Sequence, residues 1–200
     1  MIKHRFKKGE SALVVVAHPD DETIWLGGFI LSHPELHWTI FALCRASDLD
    51  RAPKFRRICR RLGAKAIITD LDDAGRISEQ QALPQIRSLI LSRLGKKKYN
   101  HIFTHGANGE YGHPRHKSVH KIVVKMAEKG ELNIKSLYFF NYQKIGKYKL
   151  APKTDSDLKL KLSKKTFSNK QALMTDIYGF ASDGIDTGYC TNPEALKINH

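Results

Sequence analysis

Short apolar, β-branched runs alternate with longer stretches of helical periodicity over the first 140 residues. Residues 13–17, Leu-Val-Val-Val-Ala, are apolar without a break, the pattern of a strand covered on both faces. Residues 22–31 read as a helix and 38–43 as a second strand. Residues 52–62 form a basic amphipathic helix that Gly63 is placed to end. A third strand follows at 66–69, a long helix at 81–94 stopped by Gly95, and a fourth strand at 100–104. A helix at 115–129 ends at Gly130, and 136–141 is a fifth strand. This alternation predicts one α/β domain over residues 1–200: a doubly wound, mostly parallel sheet with helices on both faces and right-handed crossovers. Beyond residue 142 the pattern weakens. The lysine-rich stretch 144–170 reads as loop or edge strands, with an edge strand around 158–162, and 168–180 as a last helix. No repeat and no linker divides the chain, and Lys96-Lys97-Lys98 reads as a solvated loop.

Composition narrows the class. Two hundred residues, 41% hydrophobic and 27% charged, suffice for one cored domain and argue against disorder. Cys44, Cys59 and Cys190 are too few and too scattered for a disulfide scaffold or a cysteine-based zinc module. No apolar run approaches the roughly 20 residues that span a bilayer. The basic start 1–8 lacks both the apolar length and the cleavage site of a signal peptide. A reducing, cytoplasmic setting is the expectation. The net charge of +14 invites a nucleic-acid reading. That charge is local: residues 51–65 carry +7 and residues 141–170 another +7, whereas residues 11–50, with six acids and one arginine, carry −5.

The acidic stretch holds the unusual chemistry. His18-Pro19-Asp20-Asp21-Glu22 follows the first strand, where an open α/β sheet forms its ligand crevice. Ordinary capping and dipole complementation explain Pro19, Asp21 and Glu22 one at a time. They do not explain a histidine followed by three crowded acids, for which a divalent cation is the usual remedy. A second cluster gathers five of the ten histidines: His101, His105, His113, His116 and His120. The fourth strand delivers His105 to the same sheet edge. A glycine-rich loop, Gly106-Ala-Asn-Gly-Glu-Tyr-Gly112, leads to His113-Pro114-Arg115-His116, and His116 and His120 share a helix face. Imidazole and carboxylate donors without a nearby cysteine suit a hydrolytic metal site with an open position.

Val14-Val-Val-Ala-His-Pro-Asp-Asp-Glu-Thr23, joined to Gly112-His-Pro-Arg-His116, resembles the PIG-L/LmbE-like family of zinc-dependent N-acetylglucosaminyl deacetylases. The likeness extends to Arg51, to Asp72-Asp73 and, more weakly, to the closing Asn169-Lys170-Gln-Ala-Leu-Met and Tyr178. It implies a Rossmann-like fold and removal of acetyl from a GlcNAc-type glycoside. His18, Asp21 and His116 match the metal ligands, for Zn2+ with Fe2+ the alternative. Asp20 matches the general base and His113 the group that stabilises the oxyanion. Spacing alone pairs His116 with His120; the family pattern instead gives His113 and His116 distinct roles. Two positions depart: Arg115 stands where an aspartate is common, and Lys54 where an acid is usual.

Other residues are placed by position. Arg45 and Arg51 fall where they could contact a sugar hydroxyl or phosphate. Asp72 and Asp73 either line the crevice or cap a turn, and Glu22 starts the helix. Trp25 and Trp38 are core residues, with Trp25 one turn beyond the motif. His4, His33, His37 and His200 have no assigned part. The expected partner is a small N-acetylated sugar or glycoconjugate, anionic if the basic windows flank the crevice; no specific nucleic acid is expected, and homo-oligomerisation stays open. The rival reading is a basic nucleic-acid-binding protein or metal-dependent nuclease, with no recognisable motif and no aromatic interleaving behind it. Tight nucleic-acid binding with a steep salt slope, and no acetate released, would favour the rival.

Overall fold

The computed structural model describes residues 6–199; His4, His200 and the first part of the basic start lie outside them. The elements run β1 (Ser11–Val16), α1 (Asp21–Ser32), β2 (His37–Cys44), α2 (Arg51–Arg61), β3 (Lys65–Leu71), α3 (Glu79–Leu94), β4 (Lys98–Thr104), α4 (Pro114–Glu128) and β5 (Asn133–Phe140). These match the expected alternation within a few residues. Gly63, Gly95 and Gly130 follow their helices at φ 67, 58 and 66°, positive values that glycine adopts without a Cβ penalty.

β1 lies between β2 and β4 inside a seven-stranded sheet of order β3-β2-β1-β4-β5-β9-β8, with β9 at Glu194–Ile198 and β8 at Leu158–Leu160, in which the first five strands are parallel. Strand alternation splits the core in two. Ala12, Val14 and Val16 pack with Trp25 and Phe29 of α1 and Phe55 and Ile58 of α2. Leu13 and Val15 pack with Ile86 and Ile90 of α3 and Val119 and Val123 of α4. Each such burial is worth about 1.5–3 kcal/mol, against about 0–1 for an exposed ion pair, so the central strand holds the sheet. The strand order reverses between β1 and β4, and the crevice opens beyond their C-terminal ends.

The C-terminal third departs most from expectation. Residues 142–152 form a small separate hairpin, β6 (Tyr142–Gly146) and β7 (Lys149–Pro152). β8 (Leu158–Leu160) is the expected edge strand. The last long helix starts earlier than expected, as α5 (Lys164–Ala172), and continues as a π-helical segment, Leu173–Tyr178, ended by Gly179 at φ 80°. After a short α6 (Ile185–Gly188), an unexpected strand, β9 (Glu194–Ile198), inserts antiparallel between β5 and β8.

β9 also corrects the reading of Lys170 as part of a basic surface. Lys170 is fully buried, and its Nζ lies 2.6 Å from Glu194 Oε1. Glu194 in turn accepts the backbone N–H groups of Gly28 (2.8 Å) and Phe29 (2.6 Å) in the middle of α1. Burial pushes the Glu194 carboxyl pKa up, and the Lys170 charge opposes it. Nearby, the Tyr142 hydroxyl donates to the Trp25 carbonyl (2.9 Å) and accepts the Ala195 N–H (3.0 Å). Gly28 leaves room for Leu162 to pack on α1: a Cβ there would stand 2.3 Å from Leu162 Cδ1. All three cysteines are buried and free. Among the described residues no helix is long and apolar enough to cross a membrane.

Removing one partner of a buried pair strands the other charge. Lys170→Met should therefore cost about 3–5 kcal/mol in chemical denaturation, and Lys170→Met with Glu194→Gln should recover part of it. A loss below about 1 kcal/mol would reduce the pair to the worth of an exposed one.

Candidate active site and metal centre

The turn out of β1 is the first half of the site. Asp20 has φ 119° and ψ −34°, a conformation that L side chains seldom adopt and that the surroundings must hold in place. Its N–H donates to Glu22 Oε2 (3.0 Å) and its carbonyl accepts from Thr23 and Ile24 (2.9 Å each). Glu22 is itself anchored by the hydroxyls of Thr23 (2.7 Å) and Tyr178 (2.8 Å). Asp20 precedes α1 yet makes no side-chain cap. Its carboxylate pairs with Arg51 Nη1 at 2.7 Å and faces the cavity. Burial, then the charge of Asp21, pushes the Asp20 pKa well up.

Three donors converge beside it. His18 Nδ1 lies 3.2 Å from Asp21 Oδ2, His116 Nε2 lies 3.4 Å from Asp21 Oδ1, and the two nitrogens are 3.3 Å apart. Metal–ligand bonds of about 2.1 Å in a tetrahedron place donors about 3.4 Å apart, so the spacing fits a small divalent cation. The outward nitrogens are held by carboxylates. His18 Nε2 meets Asp73 Oδ1 at 2.7 Å, and His116 Nδ1 meets Glu110 Oε2 at 2.6 Å. In the neutral rings these contacts place each proton outward and leave the inward lone pair free, the arrangement that orients metal-binding histidines. The Trp25 indole N–H donates to Asp21 Oδ1 at 2.9 Å. Burial opposes protonation, but the carboxylates outweigh it and raise His18 to about 9 and His116 to about 10. A dication would take the place of those protons.

The other histidines divide. His105 Nε2 accepts the Ala17 N–H (2.9 Å) and its Nδ1 meets Glu110 Oε2 (2.9 Å), so both nitrogens are occupied although donors of Asp21, His105 and His116 cluster within 4.8 Å. His120 Nδ1 donates to the His105 carbonyl (2.9 Å), and His120 enters none of the donor clusters found among the described residues. His113 lines the cavity, and its donors lie within 4.8 Å of those of His18 and His116. Its Nδ1 accepts the Arg115 N–H at 3.2 Å, so the neutral ring carries its proton on Nε2. Burial, then the charges of His116 and His18, lowers its pKa to about 4.

The cavity holds about 170 Å³, with Trp25, Tyr111 and Tyr189 as an aromatic wall. Arg45 and Arg51 both line it, as expected, but each is already paired: Arg45 Nη2 with Asp73 Oδ2 (3.0 Å), and Arg51 with Asp20. Arg51 also lies 4.5 Å over the Phe180 ring. The two adjacent aspartates separate. Asp73 enters the site, and Asp72 caps the turn by accepting the N–H groups of Arg76 (2.9 Å) and Ile77 (3.4 Å). Trp38 is confined to the core, whereas Trp25 belongs to core and cavity alike. Lys54 pairs with Asp50 (2.8 Å), and Arg115 is buried 3.8 Å from Asp72. Glu110, Asp186 and Tyr189 escaped the sequence reading. Glu110 had a signal, as the one acid between His105 and His120.

An uncharacterized protein, L374, of Acanthamoeba polyphaga mimivirus is 25% identical over 158 residues, covering 71% of this chain and 66% of the viral one. The chain thus spans just under two thirds of that relative. The N,N'-diacetylchitobiose deacetylase of Pyrococcus horikoshii superposes with a TM-score of 0.71 at 15% identity, over 100% of this chain and 87% of that one. GalB, the 4-carboxy-2-hydroxymuconate hydratase of Pseudomonas putida KT2440, does so with a TM-score of 0.64 at 14% identity, over 94% and 95%. At such identities the superpositions establish the fold alone. The match to the family model described as PIG-L: GlcNAc-PI de-N-acetylase is in sequence, over residues 13–127, and takes in both halves of the site from β1 to α4. With more than half of its length in that match, the chain belongs to the PIG-L family.

Proposed function

We propose that the protein is a divalent-metal-dependent hydrolase that removes the acetyl group from an N-acetylated amino sugar of the GlcNAc type and releases acetate. The observation that carries this reading is the convergence of His18, Asp21 and His116 within about one tetrahedral edge of each other, with the uncapped Asp20 carboxylate beside them. The family match supports it, as does the fold shared with a chitobiose deacetylase. The hydratase neighbour means that fold cannot carry the reading by itself.

His18, Asp21 and His116 would hold the cation, Zn2+ in the first instance and Fe2+ as the alternative. When bound it supplies Lewis-acid polarisation and a water whose pKa is lowered towards about 7. Arg51 holds one oxygen of Asp20, so the carboxylate is oriented to take a proton from the attacking water. His113, with its ring proton on Nε2, donates to the acetamide oxygen as negative charge grows there. The protonated Asp20 then returns the proton to the amine nitrogen as the C–N bond breaks. Trp25, Tyr111 and Tyr189 offer an apolar face to the sugar ring. Among the described residues no lysine lines this cavity, and the basic windows enter it only through Arg51, which Asp20 already holds.

A panel of N-acetylated sugars assayed for acetate should yield a substrate, with the rate lost on chelation; acetate release insensitive to a chelator would overturn the metal's role. Asp20→Asn should cut kcat by about 10²–10⁴ and leave metal content nearly intact; a variant with the parent rate would remove Asp20 as the base. His116→Ala should deplete bound metal in elemental analysis while His120→Ala retains it. The reverse pattern would transfer the ligand role to His120.

A further inference from the structure

The cavity at the cation site is small. Ligand pockets usually run to about 300–1,000 Å³, so the cavity of about 170 Å³ takes little beyond the ring that bears the acetamide. Whatever else the substrate carries must leave through a neighbouring opening. A second cavity, of about 440 Å³, shares Asp73 and His113 with the first. It extends between the loop after β3, with Gly75 and Ile77, and the first turns of α4, with Pro114, Arg115 and Lys117.

The charges in this second cavity are unevenly satisfied. The Asp73 carboxylate is already engaged by His18 and Arg45, and Glu79 is paired with Lys121. Arg115 is only 8% exposed, its guanidinium makes no hydrogen bond among the described residues, and its one ion pair is a loose 3.8 Å to Asp72. That Asp72 carboxylate already accepts two backbone N–H groups. Lys117 has no ion pair or hydrogen bond from its ammonium among the described residues. Guanidinium N–H donors that line a cavity without a hydrogen-bond partner among the described residues suit an acceptor with planar or tetrahedral oxygens. Ile77 and Pro114 supply apolar walls around them.

We infer that the second cavity is a subsite for an anionic substituent of the substrate, a phosphate or a carboxylate carried by the N-acetylated sugar, with Arg115 as its anchor and Lys117 as the second cation. The inference deepens the deacetylase reading and rests on it for the placement of the acetamide. Arg115 contacts the anion in two-pronged geometry, which a lysine at this position reproduces only as a point charge. Arg115 is therefore a specificity-determining residue, and the charge preference it confers is local to one side of His113.

Calorimetric titration of the purified protein with N-acetylglucosamine, N-acetylglucosamine 6-phosphate and N-acetylmuramic acid tests this directly, without recourse to turnover. The 6-phosphate or the carboxylate sugar should bind at least about tenfold more tightly than the neutral sugar, with the gap shrinking at high salt. The arm that shows the larger gap identifies phosphate or carboxylate as the group recognised. Arg115→Gln and Lys117→Gln, each checked for an unchanged melting temperature, should bring the ratio of the two affinities towards one. Equal affinity for neutral and anionic sugars in the parent protein, or a preference that survives both substitutions, would overturn the subsite. An Arg115-dependent preference with no acetate released from any sugar would sink the deacetylase reading and leave the anion subsite standing; acetate released from neutral sugars without an anionic preference would do the opposite.

Discussion

A single buried carboxylate ties the two halves of the site together. Oε2 of Glu110 meets both His105 Nδ1 and His116 Nδ1, and its Oε1 accepts the Gly106 N–H at 2.7 Å. Burial works to raise the Glu110 pKa, and the two imidazoles outweigh it and bring it to about 2. Because Glu110 engages Nδ1 of His105, that ring's Nε2 is left to accept the Ala17 N–H, where β1 leaves the sheet and the backbone turns towards His18. Because it also engages Nδ1 of His116, that ring's Nε2 is turned inward to face His18 and Asp21. The positions of His18 and His116 thus depend on one anion, carried by a loop between β4 and α4 at a left-handed φ of 55°. Replacing a group that serves two rings is felt at both, so effects there should not add.

What could be read along the chain follows the range of the forces involved. Parallel strands buried on both faces leave long apolar runs, and helix ends leave glycines, so β1 to β5 and α1 to α4 were legible from local pattern. β9 was not. It is five residues long, opens on a buried glutamate, and is held by β5 and β8 from distant parts of the chain. Lys170 misled for the same reason: nothing within several residues of it signals Glu194, 24 positions away. At the site, His18, Asp20, Asp21, His113 and His116 sit in two compact motifs. Asp73 and Glu110 act by orienting imidazoles, and the partner that reveals each role lies elsewhere in sequence or in a loop of no regular pattern.

The charge has a similar history. A surplus of +14 describes the molecule seen from a distance, and such a field steers encounters over about a Debye length. At the cavity the balance differs. Asp20, Asp21, Asp73 and Asp186 line it together with Arg45 and Arg51, and both arginines are bound to carboxylates already. The basic windows at 51–65 and 141–170 enter this lining only through Arg51. The long-range field and the local recognition are therefore set by different residues, and a change in one leaves the other nearly untouched.

Helix α1 carries two jobs along one short rod. Its first turn presents Asp21 and Glu22 to the site, and its middle is pinned by Glu194 through the backbone of Gly28 and Phe29. Gly28 exists in that contact without a side chain because Leu162 occupies the space. Selection for a sturdier helix, which would ordinarily replace a mid-helix glycine by alanine, must at this position displace the buried Leu162 side chain. One residue earlier the same substitution is open: a Cβ at Gly27 would meet only ordinary contacts, 3.4 Å to Thr23 Cγ2 and 3.5 Å to Lys170 Cγ, so the rod that aims the carboxylates can gain stability at one glycine and not at its neighbour.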